Sequence, residues 1–128
     1  MSDVLTALVR DVYLLRSRVA DLEAAPAPRE PTYQRVLHLV SHDFGVPVAL
    51  LTSVSRRADI ALARHVAFHV AHRALGYSMP RIGRLADRDH SSVCHGIHRI
   101  EAMCAEDRDF AARVAAVIHQ IEHERSRA

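Results

Sequence analysis

The sequence contains no tryptophan and no lysine, and it has only four glycines among its 128 residues. With three Phe and three Tyr as its aromatic residues, its core must be built mainly from aliphatic side chains and alanine. The low glycine content and the scarcity of β-branched runs favour helices over strands. This length suits one compact domain with an appendage. We therefore expect an all-α protein.

Several kinds of segment are also missing. The two cysteines, Cys94 and Cys104, are ten positions apart and form no CxxC pair. No apolar run approaches the ~20 residues that span a bilayer. The first residues, MSDVLTALVRDV, are interrupted by charges and lack the hydrophobic region of a signal peptide. We expect a reduced, cytoplasmic protein that makes no use of a membrane.

Residues 1–23 carry apolar side chains at alternating spacings of four and three residues, which is a heptad pattern. The expected dimerisation residues are Leu5, Leu8, Val12, Leu15, Val19 and Leu22. Valine at one seam position and leucine at the other favour a two-stranded coiled coil, and hence a homodimer. Flanking charges fit a parallel and an antiparallel pairing equally. The alternative is an amphipathic helix that folds back on its own domain, because so short a coiled coil is marginal.

Three prolines in the segment AAPAPREP, residues 24–31, predict a semi-rigid linker. A helical domain is expected over residues 32–124, followed by a tail at 125–128. Its predicted helices include one ended by Gly45, a short one near 47–53 and a long one from about Asp59 to Leu75, closed by Gly76. A two-turn helix capped by Ser78, a helix from about Asp89, and a last helix over about 107–123 follow.

Charge is unevenly distributed along the chain. All 17 basic residues are arginine, against 15 acidic residues, for a net charge of +2. The block from Arg56 to Arg99 holds eight arginines and three aspartates, which leaves five positive charges in excess. This block is the expected position of a phosphate-rich partner, with a solvated basic face as the alternative.

The stretch RDHSSVCHGIHRI, residues 88–100, lies within that block. On a helix, at about 100° per residue, one face is apolar: Val93, Ile97, Ile100 and Cys104. The opposite face is polar and bears Ser91, His95, His98 and Arg99. A short helix, a tight turn and a second helix with a donor-rich outer face are typical of a helix-turn-helix, whose second helix enters the major groove of DNA. We therefore predict binding to double-stranded DNA.

These residues resemble the signature of the C-terminal DNA-binding domain of the bacterial replication initiator DnaA, where Arg-Asp-His-Thr-Thr-Val begins the recognition helix. On the N-terminal side, YQRVLHLVSHDFGVPVALLTSVSRR is similar to the family's opening helix, short helix and basic loop. ARHVAFHVAHRALGYSMPRIGRLADRDH resembles its long helix and turn, and EDRDFAARVAAVIHQI resembles its closing helix. The resemblance covers residues 32–124.

The resemblance implies roles for individual residues. Base contacts in the major groove are implied for Asp89, His90, Ser91, Ser92 and His95, with Met79 and Pro80 as a neighbouring contact pair. Arg57 or Arg56 is implied to enter the adjacent minor groove, and Arg64 to contact the DNA backbone. We add Arg84 and Arg99 as expected phosphate contacts, which would make the affinity depend on salt.

The sequence departs from the family pattern at informative positions. Ser91 and Ser92 replace two threonines, so the hydroxyls remain but methyl contacts to thymine are lost. The basic loop carries Asp59, and His72 stands where the family usually has a lysine. No glycine-rich GKT/S phosphate loop is present. We therefore expect a stand-alone version of the DNA-binding domain that is not an enzyme and uses no cofactor.

Histidine and cysteine suggest other chemistry. His65, His69 and His72 fall on one face of the long helix, and an i, i+4 pair can bind zinc. No HExxH pattern or suitably placed carboxylate completes such a site, so we expect a solvent- or phosphate-facing stripe and no metal. Cys94 beside His95 lacks an orienting third group for thiol catalysis. We place Cys94 at the edge of the core and Cys104 inside it.

The expected function is sequence-specific binding at sites like the initiator's boxes, as an accessory or regulator of replication initiation at the nucleoid. A bacterial or prophage transcription regulator built on the same domain is the first alternative. The second is an adaptor that acts through the coiled coil on the replication initiator or another protein. Anionic lipid is a less favoured partner for the basic block, since no large apolar and basic helix face accompanies it.

Overall fold

The computed structural model describes residues 30–128, which form six helices and contain no strand. The helices are α1 (Tyr33–Phe44), α2 (Val48–Leu51), α3 (Ala58–Leu75), α4 (Met79–Ala86), α5 (His90–Glu106) and α6 (Arg108–Arg127). The all-α prediction is thus confirmed for this region. The predicted coiled coil at 1–23 and the linker up to residue 29 lie outside the described residues.

Several helices begin or end at the residues that the sequence predicts. Thr32 begins α1 by accepting a hydrogen bond from the Arg35 amide, and Ser78 begins α4 by accepting one from the Arg81 amide. Gly45 and Gly76 end α1 and α3 in the left-handed region, with φ of +68° and +71°. Glycine suits these ends because it adopts positive φ without steric cost.

Helix α3 is the central element of the domain. It packs against α1 and α2 on one side and against α4, α5 and α6 on the others. Its buried apolar side chains are Ile60, Ala63, Val66, Ala67, Phe68, Val70, Ala71, Ala74 and Leu75. The core is thus mainly aliphatic and alanine-rich, as predicted. Helix α5 packs directly on α3.

Two predicted boundaries are wrong. The helix expected at 47–53 is a single turn, Val48–Leu51, because Thr52 and Ser53 turn their hydroxyls back onto helix carbonyls. The last helix continues to Arg127, through the predicted tail. Tertiary contacts explain the extension: Arg125 donates to the Ala74 carbonyl at 3.1 Å, and Glu124 pairs with Arg35 at 2.7 Å.

Among residues 30–128, no helix combines the length and the apolar character that crossing a bilayer requires.

Candidate nucleic-acid interface

Helices α4 and α5 are joined by the three-residue turn 87–89 and form the predicted helix-turn-helix. Asp87 adopts the left-handed conformation with φ 55°, and the Arg88 amide donates to the Gly83 carbonyl at 2.8 Å. The turn approaches α4 so closely that a Cβ on Gly83 would lie 2.7 Å from the Arg88 carbonyl oxygen. Glycine is therefore required at position 83 for this tight connection.

Helix α5 divides into an inner and an outer face, as its sequence predicts. Val93, Ile97 and Ile100 are fully buried against the core. The exposed residues at its N-terminal end and along its outer face are His90, Ser91, Ser92, His95 and His98. The N-terminal part of the second helix thus presents hydroxyl and imidazole groups, which can both donate and accept hydrogen bonds at base edges.

Asp89 is the residue at which α5 begins, but its side chain makes no capping hydrogen bond. Its carboxylate instead accepts a hydrogen bond of 2.8 Å from the Ser91 hydroxyl, and it lies 3.8 Å from Nδ1 of His90. The hydrogen bond from Ser91 lowers the pKa of Asp89, which keeps the carboxylate ionised. An exposed acceptor and an oriented hydroxyl therefore stand side by side at the tip of the helix.

Residues 52–57, here called the basic loop, connect α2 to α3 beside the start of α5. The Ser53 hydroxyl donates to the Leu50 carbonyl and accepts from the Ser55 amide. The Ser55 hydroxyl in turn accepts from the Arg57 amide at 3.3 Å. The hydroxyls of Ser53 and Ser55 thus hold the loop backbone through local hydrogen bonds. Val54, between the two serines, is 87% exposed.

The two arginines of the basic loop differ in their surroundings. Arg57 adjoins the first turn of α3, and its guanidinium is 3.1 Å from the carboxylate of Asp59. Arg56 is exposed and makes no hydrogen bond or ion pair with residues 30–128. Of the two, Arg56 thus has the guanidinium that is free of an acidic neighbour.

Arg64, predicted to contact the DNA backbone, is buried to 6% exposure. Its Nε donates to the Leu51 carbonyl and its Nη2 to the Ser53 carbonyl, both at 2.9 Å. Burial is the main reason that the pKa of Arg64 is lowered. The guanidinium anchors the end of α2 and the basic loop, and its contact with the DNA backbone stays a prediction.

An open cleft of about 400 Å³ separates the basic loop from the N-terminal end of α5. Polar groups from the basic loop, α3, the turn and α5 line it: Arg56, Arg64, His65, Arg88, Ser91, Ser92 and His95. Three of the residues predicted to read bases are therefore brought together with Arg56 across one concave surface. Sequence alone did not show that the loop and the helix share a cleft.

The remaining predicted contacts lie around the turn and further along α5. Pro80, Arg84, Asp89 and His90 line a second, shallower depression beside the turn. Met79 is half-buried against the core, although its neighbour Pro80 is exposed. Arg99 is half-buried, and its Nη1 lies 3.2 Å from Nδ1 of His65.

The histidine stripe of α3 is not the solvent-facing stripe that was predicted. His65 is half-buried, and burial together with the charge of Arg99 lowers its pKa to about 4, so it is a neutral acceptor for Arg99. His69 is buried at 6% exposure, and burial lowers its pKa. Nδ1 of His72 is 2.8 Å from the Tyr77 carbonyl. The stripe faces inward because α5 packs over it.

Both cysteines are half-buried free thiols. Within residues 30–128 no three His, Cys, Asp or Glu side chains converge on a metal position. Cys94 is a half-buried free thiol 3.7 Å from Nδ1 of His98. Cys104 is only half-buried at the edge of the core, not inside it as predicted. Burial raises the pKa of its thiol.

Sequence reasoning missed Arg88 as a functional candidate. Its Nη2 donates to the Ser53 carbonyl, so the turn of the helix-turn-helix reaches the basic loop directly. The signal was present, since Arg88 opens the signature stretch, but its partner is 35 positions away in sequence.

Comparisons with known proteins agree with this geometry. Residues 33–100 match the family model described as "Bacterial dnaA protein helix-turn-helix". The chain is 40% identical over 95 residues to the chromosomal replication initiator protein DnaA of Thermomicrobium roseum, an alignment that covers 73% of this chain and 20% of that protein. It is 30% identical over 105 residues to the DnaA of Nitrobacter winogradskyi, covering 81% and 22%.

A third similar protein is the DnaA of Streptococcus agalactiae serotype Ia, 34% identical over 79 residues, covering 61% of this chain and 17% of that protein. The chain thus spans about a fifth of the length of the curated relatives that it matches. The matched region contains the whole of α1 to α4, the turn and the first eleven residues of α5. The chain therefore belongs to the family of bacterial DnaA helix-turn-helix proteins, whose matched region is a DNA-binding domain.

Proposed function

We propose that the protein binds double-stranded DNA at sites like the boxes of the replication initiator, with α5 in the major groove. The observation that carries the proposal is the exposure of Ser91, Ser92 and His95 on one face at the N-terminal end of the second helix of a helix-turn-helix. That is the part of the motif that meets base edges in DNA complexes. Membership of the DnaA helix-turn-helix family supports the choice of site.

The basic loop would meet the neighbouring minor groove in the same complex. Arg56 supports this better than Arg57, because Arg57 already has Asp59 at 3.1 Å. The cleft between Arg56 and Ser92 is also lined by Ser91 and His95 from the outer face of α5. A DNA backbone running between the two grooves would pass over this cleft, where arginine and serine donors suit phosphate oxygens.

The biological role proposed is that of an accessory or regulator of replication initiation, acting where the initiator itself binds. The support is the similarity to initiator proteins over the DNA-binding region. The expected dimerisation through residues 1–23 belongs to this proposal. Two linked domains would raise the apparent affinity for paired boxes through effective concentration.

The proposal is tested by selecting bound duplexes from a random pool with the full chain. Enrichment of an initiator-type box supports the proposal as a whole. Enrichment of an unrelated sequence would replace the initiator site by a target typical of a transcription regulator. Absence of any enrichment, with weak and steeply salt-dependent binding, would contradict sequence-specific recognition and shift the function to a protein partner.

A duplex with two boxes, compared with a duplex with one, tests the dimer. Tighter binding to two boxes, lost when Leu8 and Leu15 are both replaced by Asp, is the expected result. Equal binding to the two duplexes by the wild-type chain would contradict cooperation between linked domains.

A further inference from the structure

We propose that Arg88 is a positioning residue that fixes the basic loop relative to α5 before DNA is bound. This inference rests on the proposed function, because the loop and α5 matter together only if both contact DNA. Its basis is a pair of contacts to one atom: the guanidinium groups of Arg88 and Arg64 both donate to the Ser53 carbonyl oxygen.

The backbone of Arg88 is fixed first. Its amide donates to the Gly83 carbonyl at 2.8 Å, and its own carbonyl lies against the α-carbon of Gly83. Since both ends of the residue contact α4, the direction in which its side chain leaves the turn is set. Arg88 is also half-buried, so its side chain samples fewer positions than an exposed arginine.

The loop is fixed from the other side by α3. Arg64 donates to the carbonyls of Leu51 and Ser53, and it is almost fully buried. The charge of Arg88 contributes to the lowered pKa of Arg64, as expected of two cations that share one acceptor. Two guanidinium groups come this close only where an acceptor binds both of them. The Ser53 carbonyl is that acceptor, and it connects α3, the turn and the basic loop.

Hydrogen bonds within the loop link the position of Ser53 to the position of Arg56. The Ser53 hydroxyl accepts from the Ser55 amide, and the Ser55 hydroxyl accepts from the Arg57 amide. Arg56 lies between these two hydrogen-bonded amides, so fixing Ser53 fixes where its side chain begins. A loop ordered in advance avoids the entropy cost of ordering its backbone on binding.

Positioning and direct contact predict different results for the same residue. If Arg88 acts by positioning Arg56, then Arg88→Ala and Arg56→Ala each remove the same contact of Arg56 with DNA. The effects of the two changes on affinity then do not add. If Arg88 itself contacts phosphate, their effects are independent and additive. Arg88→Lys separates geometry from charge, because lysine keeps the charge but lacks the planar fork that reaches the carbonyl.

The first arm uses the free full-length protein, so it does not depend on DNA binding. Amide hydrogen exchange at Ser55 and Arg57 is measured by NMR in the wild type, in Arg88→Ala and in the control Arg127→Ala, with the Tyr77 amide as an internal reference. We expect exchange at Ser55 and Arg57 to accelerate by about tenfold in Arg88→Ala only. Unchanged exchange at both amides would overturn the inference.

The second arm is a double-mutant cycle on box DNA by fluorescence anisotropy. We expect Arg56→Ala and Arg88→Ala each to raise Kd by about tenfold, and the double variant to be no weaker than the weaker single variant. Arg88→Lys should behave like Arg88→Ala. Effects that multiply, or full retention of affinity in Arg88→Lys, would overturn positioning in favour of a direct charge contact.

The two arms separate this inference from the proposed function. If the wild type bound no DNA but Arg88→Ala still accelerated exchange at Ser55 and Arg57, the proposed function would fail and the positioning of the loop would stand. If the wild type bound box DNA but exchange at these amides were unchanged in Arg88→Ala, the proposed function would stand and the positioning of the loop would fail.

Discussion

The imidazole of His65 on α3 occupies the space that a side chain at Gly96 on α5 would need. A Cβ on Gly96 would lie 2.6 Å from Cδ2 of His65. The His65 ring also stands edge-on to the ring of His95, with 6.2 Å between centroids. This glycine–histidine contact sets how closely the recognition helix approaches the core, directly behind a residue proposed to read bases.

The first prediction concerns that contact. Gly96→Ala should lower the free energy of unfolding by about 1–2 kcal/mol, because overpacking against His65 outweighs the ~1 kcal/mol gain in helix propensity. In a His65→Ala background the clash is gone, so Gly96→Ala should raise stability by up to about 1 kcal/mol. Urea denaturation of the four proteins measures both effects. The same sign in both backgrounds would contradict the packing argument.

The second prediction is a pH dependence of stability. The pKa of His65 is lowered to about 4 by burial and by nearby Arg99, from its ordinary value of 6.5. Between these values the unfolded chain binds a proton at His65 that the folded chain does not, so stability is full above pH 6.5 and falls toward pH 4. His65→Gln keeps an acceptor for Arg99 but cannot titrate.

Urea denaturation of wild type and His65→Gln from pH 7.5 to 4 checks this. The wild type should lose more stability over that range than the variant, and the buried His69 should leave a shared residual slope in both. Parallel curves for the two proteins would show that His65 is not held neutral in the folded state.

The third prediction concerns sequence preference. Replacing Ser92 or His95 by Ala should reduce the preference for box DNA over scrambled DNA by about 5- to 100-fold, because base-edge hydrogen bonds are each worth about 1–3 kcal/mol. Binding to scrambled DNA should change little. Anisotropy on both duplexes gives the ratio, with His119→Ala on α6 as the control. A uniform loss on both duplexes would mean that these side chains contact phosphate instead.

The fourth prediction separates the two arginines of the basic loop. Arg56→Ala should reduce the slope of log K against log salt by about 1, because one cationic contact to DNA is lost. Arg57→Ala should have a smaller effect, since Asp59 already neutralises much of that charge. Arg127→Ala removes an equal charge far along α6 and controls for net charge. An unchanged slope in Arg56→Ala would refute the minor-groove assignment.

Much of the architecture followed from short-range sequence signals. Gly45, Gly76 and Ser78 ended or began helices at the predicted residues, because positive φ and side-chain caps are decided within a few positions. The two faces of α5 also followed from periodicity alone, with Ile97 buried and His95 exposed. The similarity of the 88–100 stretch to DnaA pointed to the family directly.

Long-range contacts could not be obtained in this way. The resemblance implied a DNA-backbone contact for Arg64, and His69 was expected on a solvent- or phosphate-facing stripe, but the structure buries both side chains. Their burial depends on carbonyls of residues 51–53 and on the packing of α5 over α3, which no local pattern encodes. The role of Arg88 depends on the same loop. The contacts that support the candidate site therefore required the structure, and the DNA contacts expected of its residues stay predictions.

We propose that this protein reads initiator-type sites in double-stranded DNA. The most direct measurement is fluorescence anisotropy of the full chain with two duplexes, one carrying initiator boxes and one with the boxes scrambled, across a salt series. A preference of a hundredfold or more, about 2.7 kcal/mol, that persists as salt weakens both complexes is the predicted result. Equal affinity for the two duplexes at every salt concentration would contradict it.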